Sequence, residues 1–154
     1  MMPKILLSFD VEEFDMPLEY NFNISIETQM EIGKKGLDNL MPILNNDNYT
    51  TTLFTTANFA NHYPDLIKTL SDKHEIASHT FYHSNFTTAD LLSSRLRLSE
   101  ITEKPITGLR MPRMRLVPMK DIQEAGYLYD ASMNPTWLPG RYNHLNEPRS
   151  YHIK

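Results

Sequence analysis

Five short runs rich in apolar and β-branched residues, separated by stretches of helical period, leave this chain of 154 residues few folds to choose from. Lys4 to Phe9 reads as a first strand, a continuous apolar run of the kind buried in a parallel sheet. Thr50 to Thr56, Glu75 to His79, Ile106 to Arg110 and Tyr127 to Tyr129 read as the next four. Between the first two, Met30, Leu37, Leu40, Met41 and Leu44 predict a helix over 29–45. Phe59, Leu66, Ile67 and Leu70 predict another over 57–71, with Pro64 opening its main segment. Leu91, Leu92, Leu96 and Leu98 supply a third to about Glu103, begun by a capping box at Thr87 to Asp90, and a short fourth over 118–125 stops at Gly126. Strand and helix alternating at about 20–30 residues is the pattern of an α/β fold with parallel strands and right-handed crossovers.

In such folds ligands gather at the carboxyl ends of the strands. The chemically loaded residues all fall there: Asp10 and Glu12 after the first strand, His79 and His83 after the third, Arg110 and Arg113 after the fourth. His79 and His83 are four apart, which on a helical turn puts both rings on one side, where their nitrogens can converge on one ion. With no cysteine in the chain, a metal has to be held by imidazole and carboxylate. Asp10-Val11-Glu12 sets two carboxylates two residues apart, so one can hold a metal while the other stays free as a base. Two histidines, one carboxylate and open positions describe a catalytic rather than a structural metal. A divalent cation held in this way lowers the pKa of water and polarises a carbonyl, which points to hydrolysis. Arg110 on the same rim would fix the orientation and charge of a neighbouring carboxylate.

Apolar content of 40% and charged content of 22% are those of a globular chain rather than a disordered one, and residues 1–154 read as a single domain. A net charge of −4 without a basic stripe argues against nucleic acid and anionic membranes as partners. The first apolar run meets Asp10 too early for a signal peptide, and no later run is long enough to span a bilayer, so a cytoplasmic location is expected. Residues 11–28 are acidic, aromatic and interrupted by proline, as in a long functional loop, and the Pro-rich tail from Asn134 onward reads largely as loop.

Ser8-Phe9-Asp10-Val11-Glu12, His74-Glu75-Ile76, His79-Thr80-Phe81-Tyr82-His83, Arg110-Met111-Pro112-Arg113 and Tyr129-Asp130-Ala131-Ser132 succeed one another in an informative order. Through them the chain resembles the polysaccharide deacetylase family, the NodB-homology domain of carbohydrate esterase family four, from residue 4 to residue 135. The resemblance implies parallel βα repeats forming a partial, distorted (β/α)7-type barrel, and metal-dependent removal of acetyl groups from an N- or O-acetylated saccharide. It implies Asp10 as general base tethered by Arg110, with Glu12, His79 and His83 as ligands to a divalent metal, zinc first and cobalt, nickel or iron as alternatives. Water would give its proton to Asp10 and attack the acetyl carbonyl, with a backbone N–H near Met111 facing the oxyanion. Arg113, Trp137 and Tyr82 are candidate substrate contacts, Trp137 by stacking on a sugar ring.

The departures from the family pattern are equally specific. Val11 stands where a second Asp is usual, which moves the metal role to Glu12. The family's later groove segment and its L-x-H segment, whose histidine protonates the leaving group, are absent, and His144 and His152 do not take their place. A barrel of this kind needs roughly 200 residues, so the chain resembles the first two thirds of one, incomplete at its C-terminus. Its open edge is expected to be covered by a missing C-terminal segment or by a second copy, or to end abruptly near Ile153. Deformylation and ring-amide cleavage remain alternatives with the same groups, as does a non-catalytic saccharide-binding module or inactive fragment.

Overall fold

A computed structural model describes residues 5–133, 135–140 and 142–146. Its framework is a sheet of five strands in sequential order, β1 (Ser8–Val11), β2 (Thr52–Thr55), β3 (Glu75–Ser78), β4 (Gly108–Leu109) and β5 (Tyr129–Asp130), each parallel to its neighbour. Parallel neighbours need crossovers, and the helices provide them: α1 (Met16–Glu19) and α2 (Ile26–Leu44) after β1, α3 (Ala57–His62) and α4 (Pro64–Ser71) after β2, α5 (Ala89–Thr102) after β3 and α6 (Met119–Glu124) after β4. A second sheet pairs β6 (Trp137–Leu138) with β7 (Tyr142–Asn143) in an antiparallel hairpin.

Residue alternation along the strands separates two faces. Val11, Leu53, Ile76 and Leu109 are buried in the cluster that also contains Met30, Leu37, Phe59, Ile67, Leu91 and Leu98 from the helices. The opposite face is linked by polar contacts: the Thr52 hydroxyl donates to Glu75 at 2.7 Å, the Tyr129 hydroxyl donates to Glu75 at 2.8 Å, and Arg110 reaches Ser8 and Asp10. The first strand therefore turns Val11 to the helix side and Ser8 and Asp10 to the other, where a fully apolar strand was expected. That strand also begins later than the apolar run suggests. Ile5 and Leu6 are 86% and 92% exposed, and only the Leu7 carbonyl extends the ladder, accepting from the Thr52 N–H. Lys4, His152 and Ile153 lie outside the described residues.

Other expectations shift in detail. The helix expected over 57–71 is two, because Tyr63 leaves helical geometry at the residue before Pro64, where αR is disfavoured. The Thr87–Asp90 box forms only its carboxylate half, with Asp90 Oδ2 accepting from the Thr87 N–H and hydroxyl. Trp137 lies on a two-residue strand rather than in a loop, and is 61% exposed. His74 is buried and joins three elements: its ring meets the Leu44 carbonyl at the end of α2 and the backbone N–H of Thr51 before β2.

Gly33 on α2 sets how closely that helix lies against the end of β1. A Cβ there would stand 2.2 Å from the Glu12 carbonyl oxygen, whereas one at Gly36 would meet nothing within 4 Å. Gly33→Ala should therefore cost on the order of 2 kcal/mol by forcing backbone apart. Gly36→Ala should instead stabilise by roughly 0.5–1 kcal/mol through helix propensity. Urea denaturation of the two variants checks this, and equal effects would contradict the packing.

Candidate metal centre

Strands β1, β2 and β3 are held in register with Asp10 opposite Phe54 and Thr55 opposite Ser78, so the residues just past β1 and β3 emerge at the same end of the sheet. Glu12 comes directly after β1, and His79 and His83 come after β3. Their ligand atoms, one per residue, lie within 4.8 Å of one another. Glu12 Oε2 stands 3.0 Å from His79 Nε2 and 3.3 Å from His83 Nε2, and the two rings are stacked with centroids 5.8 Å apart.

The two imidazoles do not converge by helical spacing, as the four-residue interval suggested. Residues 79–83 are irregular, and Thr80, fully buried, adopts φ 66°, the left-handed region that β-branched residues avoid. Neighbouring bonds hold it there. The carbonyls of Thr80 and Phe81 accept from the N–H groups of Ala57 and Asn58 at the start of α3, and the Thr80 N–H donates to Ser78 Oγ.

The partners fix the proton positions. His79 Nδ1 faces the carbonyl of Arg110 at 2.8 Å, and a carbonyl can only accept, so Nδ1 carries the proton and Nε2 is bare in the neutral ring. His83 Nδ1 faces Asp15 Oδ1 at 2.7 Å. Burial pushes the Asp15 carboxyl up, but hydrogen bonds from His83 and Ser84 and the charges of His83 and Arg113 outweigh it and leave it below the usual carboxylate range. Asp15 is thus an ionised acceptor, and His83 too presents a bare Nε2 when neutral. Burial pulls the His83 pKa down, while Asp15 and Glu12 together raise it above the ordinary imidazole value. Among the described residues, the buried Glu12 Oε2 has no hydrogen-bond donor of its own. Two imidazole nitrogens, 3.0 and 3.3 Å from one carboxylate oxygen and all within 4.8 Å of one another, are a donor set that suits zinc or a similar divalent cation.

Asp10 stands apart from that trio. Arg110 Nη1 donates to its Oδ1 at 2.8 Å, Nη2 donates to Ser8 Oγ at 2.9 Å, and the guanidinium rests 4.0 Å above the Phe54 ring. Asp10, Glu12, His79, His83 and Arg113 share the lining of one cleft of about 250 Å³. Arg113, with φ 56°, donates to Ser84 Oγ and pairs with Glu19 of α1. Neither Tyr82 nor Trp137 lines that cleft. Tyr82 is exposed and packs on Phe81. Of the backbone N–H groups near Met111, one of which was expected to face an oxyanion, that of Met111 itself donates to Ser132 Oγ at 2.7 Å.

Two acidic residues of the β1–α1 loop that sequence reasoning passed over belong to the site. Glu13, 3% exposed, accepts from the Thr56 hydroxyl, the Asn58 amide and the His83 N–H, fastening the histidine loop to β1. Asp15, 5% exposed, is the partner of His83. The run Glu12-Glu13-Phe14-Asp15 was their only trace in the sequence: acidic residues set among apolar ones, next to a candidate ligand.

A family model for polysaccharide deacetylases matches residues 4–127. No curated protein sequence matches the chain significantly. Among solved structures, the fold is similar to that of a candidate polysaccharide deacetylase from Mycobacterium smegmatis, with TM-score 0.64 and 23% identity over 81% of this chain and 49% of that one. It is also similar to a family 4 carbohydrate esterase from Streptomyces lividans in complex with acetate, with TM-score 0.55 and 16% identity over 82% of this chain and 60% of that one. An allantoinase shares it with TM-score 0.53 and 23% identity over 69% and 39%. The chain therefore spans about half the length of the first of these proteins.

Zinc or cobalt titrated into chelator-treated protein should saturate at one ion per chain. At a hundredfold excess over Kd it should raise Tm by roughly 5–11 °C. Affinity should fall from pH 8 to pH 6, because protons compete for His83 Nε2, whose ring has a raised pKa. Calorimetry and thermal melts check this, and a His79→Ala variant with an unchanged thermal shift would contradict the ligand set.

Proposed function

Since the chain belongs to the polysaccharide deacetylase family, matched over residues 4–127, we propose that it carries the metal centre and base of a hydrolase that removes acetyl groups from an N- or O-acetylated saccharide. The observation that supports this best is the trio of Glu12 Oε2, His79 Nε2 and His83 Nε2 within 4.8 Å, with a separately held carboxylate, Asp10, in the same cleft. When bound, a divalent cation lowers the pKa of water and polarises the acyl carbonyl. The chain's own groups do the rest. Arg110, seated on Phe54 and tied to Ser8, holds Asp10 by Oδ1, so the Oδ2 edge is the one that accepts a proton from the attacking water. Once protonated, Asp10 would return that proton to the departing nitrogen or oxygen.

The same groups would cleave a ring amide, the second reading, which the fold shared with an allantoinase keeps beside the first. The sheet also has two open edges among the described residues, β1 and β5, with Ile5 and Leu6 exposed beside one of them. Further barrel strands, from additional chain or from a second copy, would cover them. The 154-residue polypeptide alone should therefore associate with rising concentration in light scattering, and a monodisperse, fully active monomer would contradict this.

Asp10→Asn should bind metal as the parent does and lose on the order of 10²–10⁴-fold in turnover, the usual worth of a general base. Acetate release from acetylated chito- and xylo-oligosaccharides by the metal-loaded protein is the measurement. Full turnover in the Asn variant would overturn the assignment of the base, and metal binding without acetate release from any acetylated sugar would favour a saccharide-binding module.

A further inference from the structure

Asp15 occupies the N-cap position of α1, where an aspartate carboxylate ordinarily accepts from the N–H of the second or third helical residue. It makes no such bond here. The carboxylate turns instead to the imidazole of His83, with Oδ1 2.7 Å from Nδ1, and Ser84 also bonds to it. The second residue of α1 is Pro17, which has no N–H, and the N–H of the third, Leu18, already donates to the Asp15 carbonyl, so the buried carboxylate is left to His83 and Ser84. The two histidines are treated unequally: His79 is oriented by the neutral carbonyl of Arg110, His83 by a charged, 5% exposed carboxylate.

We infer that Asp15 is a positioning residue for the metal centre: it fixes His83 as the Nδ1–H tautomer and turns Nε2 toward Glu12 Oε2. This rests on the reading of Glu12, His79 and His83 as metal ligands. A carboxylate behind a ligating imidazole also increases the basicity of the coordinating nitrogen, and losing such a partner usually costs 10–100-fold in metal affinity. Helix α1 is tied to the site by a second link, Glu19 to Arg113, which does not touch His83. That link separates orientation of His83 from simple anchoring of α1.

The test is cobalt affinity by chelator competition on the full chain for Asp15→Asn, Asp15→Ala and Glu19→Gln, together with imidazole ¹⁵N shifts of the metal-free proteins at a pH where the rings are neutral. Asp15→Ala should bind cobalt 10–100-fold more weakly, and its His83 should move toward the Nε2–H tautomer. Asp15→Asn keeps an acceptor oxygen and should fall between; it stands in for the Ala variant if that one does not fold. Glu19→Gln should bind like the parent. Parental affinity in both Asp15 variants, or equal losses in the Asp15 and Glu19 variants, would overturn the inference. Should the parent itself bind no cobalt, the ligand assignment fails first. The ¹⁵N shifts still decide the orienting role: a parental Nδ1–H signature that survives Asp15→Ala overturns it, and one lost in Asp15→Ala supports it.

Discussion

Three electron-rich atoms held face to face, Glu12 Oε2 and the Nε2 atoms of His79 and His83, are the constraint around which this end of the molecule is built. Neutral imidazoles whose Nδ1 protons are already committed have nothing to donate to the carboxylate between them. The arrangement is unfavourable unless a proton or a cation enters it. Burial pulls the His83 pKa down, and the hydrogen bond to Asp15 and then the charge of Glu12 raise it above the ordinary imidazole value, so both carboxylates favour a positive charge at this ring. A cation of charge two meets that preference more completely, since one ion satisfies all three lone pairs.

Holding such a trio together requires support from elements far apart in sequence. The parallel register of β1, β2 and β3 brings residues after β1 and after β3 to one end. Gly33 allows α2 to lie against the Glu12 carbonyl, Thr80 takes a left-handed turn between the two histidines, and Glu13 holds the histidine loop by one hydrogen bond and the start of α3 by two. Backbone strain of this kind costs of order 1–3 kcal/mol and persists only where the surroundings over-determine it. Here the surroundings are the strand end, the start of α3 and the loop that carries Glu13 and Asp15. Asp10 belongs to a different support, the Arg110 guanidinium that rests on Phe54 and bonds to Ser8, which holds this carboxylate apart from that of Glu12.

What the sequence disclosed was what depends on local pattern. The alternation of strand and helix predicted the parallel sheet, and the positions of Asp10, Glu12, His79, His83 and Arg110 at strand ends already placed them on one rim. What it hid depends on three-dimensional reach. The bond between His83 and Asp15 spans 68 residues, and no periodicity encodes it. The four-residue histidine interval suggested a helix because helical spacing is the simplest way to align two rings, but Thr80 reaches the same end through an irregular turn. The bond from the Met111 N–H to Ser132, 21 residues on, is likewise beyond any local pattern. The two-residue strands β6 and β7 are too short for an alternation pattern to show.

X-ray absorption at the metal edge of cobalt- or zinc-loaded protein tests the shared-cation site most directly, because it counts ligands by type without reference to activity. Two imidazole shells and one carboxylate oxygen are expected, with light-atom scatterers completing the sphere. A spectrum without imidazole scattering, or one unchanged when Glu12 and both histidines are replaced, would contradict a metal held by these three residues.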